Sequence, residues 1–538
     1  MNKIGSVLPH HTPSSLKISS VLLYTRPVIT LLLKTIIIGI LLAQTLHFSQ
    51  VYAQDPILDN SKLSYTIDSF SDAIINNNLQ LKINKINPEQ VYQSYVHQKN
   101  ARYPQSLNFN FTYSPLLKET TVVGNFTSTW QANFISGTTL ALGIAGRLTE
   151  VPATANPPAP ASDLWIVGLP QITLRQNFLR NSFVYNQNRK ALRSTLYNAY
   201  ASEENFKHFI TTTLFNALMI YHQYLANQEL IALLTKDRKD VAAILRFNKR
   251  KSRLSDLRRS DLLSSEILNI EAEDALANAQ SSNEQLKNTL IFFLGKDPDK
   301  NYDLVLTGSI PLTAPTFDKT AIIDAAITHR SDYKALLTQL SRAKNDLSVN
   351  KLEKLPDLNL QLTTTLVGTG DSIADGVNNI DFASSNNYAV DIGLNFSFRT
   401  DPKWYRSITA NSEREITKTE LQLQQLKENI KTEIENILIA IDQNYKAFTK
   451  NKRILTFAQE RYTLIRKDYR TGIIDFTTNI NARRELINAQ AKYLNSKLQY
   501  EISLLEFQYL TGEFHTTYNT TRLSNSNLNQ EKVKKKIK

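Results

Sequence analysis

Two very long stretches without Pro or Gly constrain the fold of this chain more than any other feature. They run from about Ser182 to Lys251 and from about Trp404 to Arg470. Within the second stretch, apolar residues recur at helical spacing, as at Ile430, Ile434 and Ile437. A helix of about 67 residues is about 100 Å long. The sequence therefore predicts two rod-like helices.

Each long stretch is followed by a shorter helical one that ends at a glycine. These return helices run from Asp261 to Gly295 and from Asp475 to Gly512. Glycine is the residue that most readily adopts the left-handed conformation after a helix C-terminus. We therefore expect two helical hairpins, each with one long and one shorter arm.

The sequence also carries an internal repeat. A shift of 252 residues superposes six identical residues within a window of 33 positions that begins at Asp72 and Asp324. In both copies a helical stretch ends at a proline, at Tyr103-Pro104 and at Leu355-Pro356. Proline cannot continue a helix, and after each one the apolar period changes from 3.6 to 2. This change predicts a β-strand.

Two alternating stretches follow in each copy, which predicts about four strands per chain. The clearest is Tyr388–Phe398, whose eleven residues match the length of a tilted membrane strand. A half-buried strand of a soluble sheet alternates in the same way, but the length of this stretch and the secretory signal pattern at the N-terminus favour a membrane strand. Four strands cannot close a barrel, because open edges are not tolerated in lipid and at least eight strands are needed. The chain must therefore oligomerise.

The N-terminus has the pattern of a secretory signal peptide. Basic residues precede the apolar segment Val28–Leu46, and Val51-Tyr52-Ala53 places small residues at the positions that signal peptidase reads. An uncleaved membrane anchor is the alternative, but Lys34 leaves only about twelve unbroken apolar residues, fewer than the roughly 20 that span a bilayer. We expect residues 1–53 to be a signal peptide.

The net charge of +13 does not indicate a nucleic-acid partner. Its excess lies at the two ends: four Lys/Arg and no acid in residues 1–53, and five Lys against one Glu in residues 531–538. A nucleic-acid binder carries its basic residues on a folded face. We expect residues 516–538 to be a polar, basic and disordered tail.

Catalysis has no candidate residues in this sequence. There is no cysteine, and the eight histidines show no metal-ligand spacing. No Gly-rich phosphate loop, serine elbow or paired-carboxylate arrangement occurs. We therefore expect no enzyme activity, no cofactor and no metal.

The chain resembles the TolC family of outer-membrane efflux proteins over about residues 64–515. No single motif is specific by itself, but the same motifs occur in the same order in both repeats, and this arrangement is specific. The segments that carry the resemblance are Tyr103-Pro104, Leu355-Pro356, Ile172–Arg180, Tyr469–Gly472 with Asp475, and the glycine endings of both hairpins at Gly295 and Gly512.

The resemblance implies an α+β membrane protein that forms a homotrimer in the outer membrane. Three two-repeat protomers would close a twelve-stranded barrel, continuous with a periplasmic α-helical tunnel built from the long hairpins. The channel would export substrates taken from an inner-membrane pump through a periplasmic adaptor, in efflux or in type I secretion. The first repeat would occupy residues 54–311 and the second residues 312–515.

One segment departs from this family pattern. Residues 122–161 contain two additional strand-like stretches, Phe126–Phe134 and Thr138–Leu148, followed by a Pro-rich loop. This extra hairpin either enlarges the barrel or caps it from outside.

The resemblance also points to the hairpin tips as the channel gate. The gate candidates are Tyr469, Asp475 and Asp261, and the turn residues are Gly472, Arg258 and Arg259. In a trimer, the carboxylates would form a ring that attracts cations. The two arginines would oppose that field, and ordinary solvated turn residues remain the alternative interpretation.

A periplasmic coiled-coil scaffold is the rival function. It would have the long helices without the alternating segments. What passes through a channel of this kind cannot be read from its wall, so drug, protein and metal export remain open.

Overall fold

The structure is a computed structural model that describes residues 62–115, 122–151, 154–155, 158–159, 162–254, 257–297, 299–300, 302–308, 310, 312, 317–381 and 387–518. The predicted signal peptide lies outside these residues, as does the predicted tail beyond residue 518. No helix in the described ranges combines the length and the apolarity needed to cross a bilayer.

The first half of the described chain leads from short helices through a sheet into a helical hairpin. Its elements, in order, are β1 (Lys62–Thr66), α1 (Ile67–Asn77), α2 (Leu79–Arg102), β2 (Gln105–Pro115), β3 (Val122–Asn133), β4 (Thr138–Val151), β5 (Thr154–Ala155), β6 (Pro158–Ala159), β7 (Ser162–Asn177), α3 (Gln187–Arg253) and α4 (Arg259–Phe293).

The second half has the same order without the inserted hairpin. Its elements are β8 (Asp303–Thr307), α5 (Lys319–His329), α6 (Ser331–Leu352), β9 (Asp357–Gly370), α7 (Ile373–Asn378), β10 (Tyr388–Ser397), α8 (Pro402–Thr471), α9 (Phe476–Thr511) and α10 (Phe514–Thr517). The repeat boundary at residue 312 falls between β8 and α5 and stays a prediction.

Both predicted hairpins are present, with long arms of 67 and 70 residues and return arms of 35 and 36 residues. The predicted glycine ends are confirmed, because Gly295 and Gly512 have φ of 65° and 77°. The predicted start of α3 at Ser182 was wrong by five residues. Asn186 caps the helix by accepting the backbone N–H of Arg189 at 2.7 Å, so the helix begins at Gln187.

Six strands form one antiparallel sheet in the order β10-β9-β7-β4-β3-β2. The two helix-to-strand junctions lie where the sequence predicted them, since β2 and β9 begin directly after Pro104 and Pro356. The prediction of about four strands was too low. Strands β3 and β4 are inserted between β2 and β7 and pair with both, so they continue the sheet and do not cap it.

The sheet has one apolar face that runs across the original strands and the inserted ones. One row of paired residues crosses all six strands from Leu107 in β2 to Val390 in β10, through Trp130, Leu142, Ile172 and Thr364. The large apolar side chains of this row are all exposed or half-exposed. The neighbouring row on the opposite face is mostly polar and contains Gln131, Thr173, Thr363 and Asp391.

The largest core lies midway along the helices and joins distant parts of the chain. There β1 pairs in parallel with β8, which the sequence did not predict. The hydroxyl of the fully buried Tyr221 donates to the carbonyl of Thr307 at 2.9 Å, which ties α3 to this pair. Phe514 and Tyr518 also pack here, with ring centroids 5.0 Å apart, so Tyr518, near the start of the predicted tail at residue 516, is part of the core.

Candidate functional site

The free ends of the two hairpins lie side by side and bring the sequence-predicted residues together. In the second hairpin, Gly472 ends α8 with φ 84°, and its backbone N–H donates to the carbonyl of Tyr469. An added Cβ at Gly472 would meet nothing within 4 Å, so the positive φ is what favours glycine at this position. The tight turn is thereby fixed between α8 and α9.

Asp475 caps the N-terminus of α9. Its carboxylate accepts the backbone N–H of Thr478 at 3.1 Å, while the side chain itself is exposed. Hydrogen bonds from Thr478 hold the pKa of Asp475 below its usual range, and the positive charge of Arg258 acts in the same direction. Arg258 therefore lies close enough to Asp475 for its charge to act on that carboxylate.

In the first hairpin, α3 ends at Arg253 and α4 begins at Arg259. Arg258 precedes α4 without a side-chain capping bond, and Arg259 begins the helix. Both arginines are exposed, whereas Asp261, in the first helical turn, is half-buried. The two tips thus present exposed arginines and an exposed carboxylate to solvent.

Tyr469 points away from solvent and binds the other hairpin. It is 5% exposed, and its hydroxyl donates to the side-chain oxygen of Asn248 in α3 at 2.5 Å. The amide of Asn248 then donates to the hydroxyl of Ser265 in α4 at 2.6 Å, and that hydroxyl donates to the carbonyl of Asp261 at 2.7 Å. The chain of hydrogen bonds joins α8, α3 and α4 just inside the tips.

Apolar packing surrounds this chain of hydrogen bonds. Burial raises the pKa of Tyr469, which keeps the phenol protonated and able to donate. The ring of Phe247 packs edge-on against the Tyr469 ring, and the ammonium of Lys251 lies 5.6 Å from the centre of the Tyr469 ring. A cluster of buried side chains around Val241, Leu268 and Phe476 completes the contact between the hairpins.

Ion pairs also join the hairpins further from the tips. Arg483 of α9 binds Asp237 of α3 through two hydrogen bonds, and both side chains are under a tenth exposed. Burial raises the pKa of Asp237, although the charge of Arg483 opposes the shift. Arg466 of α8 binds Asp240 at 3.1 Å in a half-exposed position. Because desolvation offsets the attraction in a buried pair, the Arg483–Asp237 pair fixes alignment more than it adds stability.

The sequence analysis missed Asn248, Ser265, Asp237 and Arg483. One signal was available for two of them. Asp237 and Asn248 lie eleven residues apart in an otherwise apolar stripe of α3 that includes Val241 and Ile244. A polar residue in such a stripe requires a partner, because a buried polar group without one costs about 1–3 kcal/mol.

In the part of the chain that the structure describes, no group of three or more histidine and acidic side chains is placed to hold a metal ion.

We predict that Tyr469→Phe weakens the contact between the hairpins. The buried oxygen of Asn248 would lose its phenol donor, which costs about 1–3 kcal/mol of local stability. Native-state hydrogen exchange of the amides in the last turns of α3 measures this loss as a smaller free energy of local opening.

Tyr462→Phe is the matched control. Tyr462 lies two turns earlier in α8 and is also buried, but its hydroxyl has no hydrogen-bond partner among the described residues. We expect no loss of protection in this variant. Equal changes in the two variants would contradict a role of the Tyr469–Asn248 hydrogen bond in holding the hairpins together.

Comparison with known proteins identifies the fold. No protein-family model matches the sequence, and no curated protein matches it. Among solved structures, the CmeC outer membrane channel of Campylobacter jejuni matches with a TM-score of 0.61 and 15% identity, over 85% of this chain and 89% of that one. The open-state MtrE outer membrane channel of Neisseria gonorrhoeae matches with a TM-score of 0.61 and 14% identity, over 87% of this chain and 94% of that one.

A third match is the outer membrane protein VceC of Vibrio cholerae, with a TM-score of 0.58 and 13% identity over 83% of this chain and 96% of that one. Each match covers most of both chains, so the likeness extends to the sheet and to both hairpins together.

Proposed function

We propose, from the premise that this chain has the fold of the TolC-family outer-membrane channels, that it is a subunit of a trimeric export channel in the bacterial outer membrane. Its sheet would form part of the barrel wall, and its hairpins would extend into the periplasm as part of a tunnel. The tunnel would receive substrates from an inner-membrane pump through a periplasmic adaptor, in efflux or in type I secretion.

The observation that carries this proposal is the six-stranded sheet with one exposed apolar face and two edges. Among the described strands, β2 and β10 each pair on one side only. Backbone groups at such an edge cannot stay unpaired in lipid, and six strands are fewer than the eight of the smallest barrels. Several copies must therefore share one closed sheet, and three is the number that the family resemblance implies.

The directions of the strands support closure by identical copies. Neighbouring strands of the sheet are antiparallel throughout, and their number in one chain is even. Strands β2 and β10 therefore run in opposite directions. When β10 of one copy lies beside β2 of the next, the antiparallel alternation continues around the whole ring.

A periplasmic scaffold remains the second candidate, supported by the two hairpins alone. It gives no reason for the exposed apolar face of the sheet. Catalysis does not explain this apolar face either. Among the described residues, the site has buried hydrogen bonds and surface charges but no activated nucleophile. Transport is the function that uses both the sheet and the hairpins.

We predict that a charge on the apolar face of the sheet prevents stable insertion. Ile392 lies in the middle of β10 and is 73% exposed, so Ile392→Lys would place an ammonium in the lipid at a cost of about 2–4 kcal/mol. We expect less protein in the outer-membrane fraction and a lower temperature at which the extracted trimer dissociates on a gel.

Gly393→Lys provides the matched control on the adjacent residue. Its side chain would point to the polar face, where an added Cβ meets only the Gln361 side chain, at 4.0 Å. We expect normal insertion and a normal trimer from this variant. If both lysines are tolerated equally, the apolar face does not contact lipid and the membrane assignment fails.

The hairpin tips are proposed to form the gate at the periplasmic end of the tunnel. Tyr469 would latch the second hairpin to the first, and opening would break its bond to Asn248. Asp475 and Asp261 would each occur three times around the mouth and favour cations. Gly472 would set the turn, and Arg258 and Arg259 would reduce the negative field.

We predict that removal of these carboxylates lowers the cation preference of the channel. Asp475→Asn combined with Asp261→Asn would abolish the negative ring, and the reversal potential in a planar bilayer under a salt gradient measures the change. The pKa of Asp475 is below its usual range. Its charge is therefore present above the ordinary value of about 3.9 and is lost only at lower pH, so wild-type selectivity should persist at about pH 5.

The control removes two exposed carboxylates that lie away from the tips, Asp299 between α4 and β8 and Asp442 within α8. Asp299→Asn with Asp442→Asn should leave the reversal potential near the wild-type value. Wild-type selectivity in the tip variant would mean that Asp475 and Asp261 are ordinary turn residues.

A further inference from the structure

The inserted hairpin of β3 and β4 lies inside the sheet, and this position changes the size of any barrel that the sheet can form. Strand β3 pairs with β2 over eleven residues, from Gln105–Ala132 to Pro115–Val122. Strand β4 pairs with β7 along most of its length, with one irregularity near Gly143. The hairpin is thus held by backbone hydrogen bonds on both sides.

The side chains of the hairpin follow the same alternation as the rest of the sheet. Trp130, Leu142 and Ile144 lie on the apolar face and are exposed. Between them, Gln131, Thr129 and Ala141 lie on the polar face, in register with Thr173 of β7 or its neighbours. A hairpin that stood in water above a barrel would have no reason to keep this alternation in register with its neighbours.

The turn of the hairpin packs on the junction between sheet and helices. The side-chain amide of Asn186, the cap of α3, donates to the carbonyl of Ile135. The backbone N–H of Asn177 donates to the carbonyl of Gly137 at 3.0 Å. The backbone N–H of Asn133 donates to the carbonyl of Pro104 at 3.2 Å. The hairpin therefore spans from the outer loops to the helical end of the sheet, as the other strands do.

The width of the sheet matches the width of the helices that continue from it. Strands β2, β7, β9 and β10 are each joined to one helix, namely α2, α3, α6 and α8, and these helices contact each other in that order. Four helices at about 9 Å spacing give a row about 36 Å wide. Six strands at about 4.8 Å, tilted by about 40°, give about 38 Å along the rim, so the row of helices leaves room for a sheet of six strands.

We infer that the inserted hairpin is a segment of the barrel wall, so that three copies close a barrel of eighteen strands with a wide outer mouth. The inference rests on the proposed trimeric channel and deepens it. Barrel diameter grows roughly in proportion to strand number, so the backbone diameter is about 36 Å in place of about 24 Å for twelve strands. The outer part of the pore then admits bulky polar solutes, and the narrowest part of the pore lies at the helical end.

A size-exclusion measurement tests this inference without depending on the gate. The natural chain has no cysteine, so Gly393→Cys supplies one thiol on the polar face of β10, where an added Cβ meets only the Gln361 side chain, at 4.0 Å. Intact cells are exposed from outside to maleimide-linked polyethylene glycols of increasing size. The largest polymer that still labels the thiol reports the width of the outer mouth.

The key variant lacks residues 116–151 and keeps residues 152–161 as the connection, so that β2 can pair with β7 in a four-stranded sheet. We expect it to admit only markedly smaller polymers than the full chain. Deletion of residues 154–159, which removes β5 and β6 but no strand of the large sheet, is the control and should leave the limit unchanged. The same limit in all three proteins would overturn the inference.

A pair of lysine substitutions keeps the test decisive if the shortened chain does not assemble. Leu142→Lys, on the apolar face of β4, should lower the dissociation temperature of the extracted trimer, whereas Ala141→Lys, on the polar face, should not. Equal effects from the two would mean that the hairpin does not lie in the wall. Absence of any trimer or of thiol labelling in the full chain would instead refute the proposed channel.

Discussion

The unpaired edges of the large sheet are the constraint on which the rest of the molecule depends. Strands β2 and β10 each present a row of backbone N–H and C=O groups without a strand partner in the described chain. The same sheet exposes a continuous apolar face, which is unfavourable in water and favours lipid. In lipid each unpaired backbone group costs several kcal/mol. In the proposed channel, identical neighbours satisfy both requirements by pairing with these edges.

The same constraint connects the two ends of the protein. In the proposed trimer, closure of the sheet would fix the positions of the four helices that continue from it, and α3 and α8 would carry that arrangement along their 67 and 70 residues to the tips. At the tips, buried polar contacts such as Tyr469–Asn248 and Arg483–Asp237 hold the hairpins in one alignment. These contacts lie apart from the apolar core around Tyr221 and share no residue with it. In the proposed channel, this separation of a core from a polar contact at the tips would allow the periplasmic end to open while the core stays intact.

Much of the fold was predictable because it depends on local patterns. Proline ended α2 before β2, glycine ended α4 and α9, and alternation located β3 and β4 before their pairing was known. Contacts between distant residues left weaker signals. The parallel pairing of β1 with β8 joins short segments about 240 residues apart, and the partner of Tyr469 lies 221 residues away. The strand count was underestimated for the same reason, since alternation identifies a strand but not the sheet to which it belongs.

Disulfide cross-linking between copies tests the closure of the sheet most directly, because the natural chain has no cysteine. One cysteine replaces Phe109 in β2, and a second is moved along β10 from residue 388 to residue 397. The account predicts covalent trimers on a non-reducing gel, formed only from apolar-face positions such as Val390, Ile392 and Leu394 near one register. No cross-link at any position, or equal cross-linking at Asp391 and Gly393 on the polar face, would contradict the pairing of β2 with β10 of the neighbouring copy.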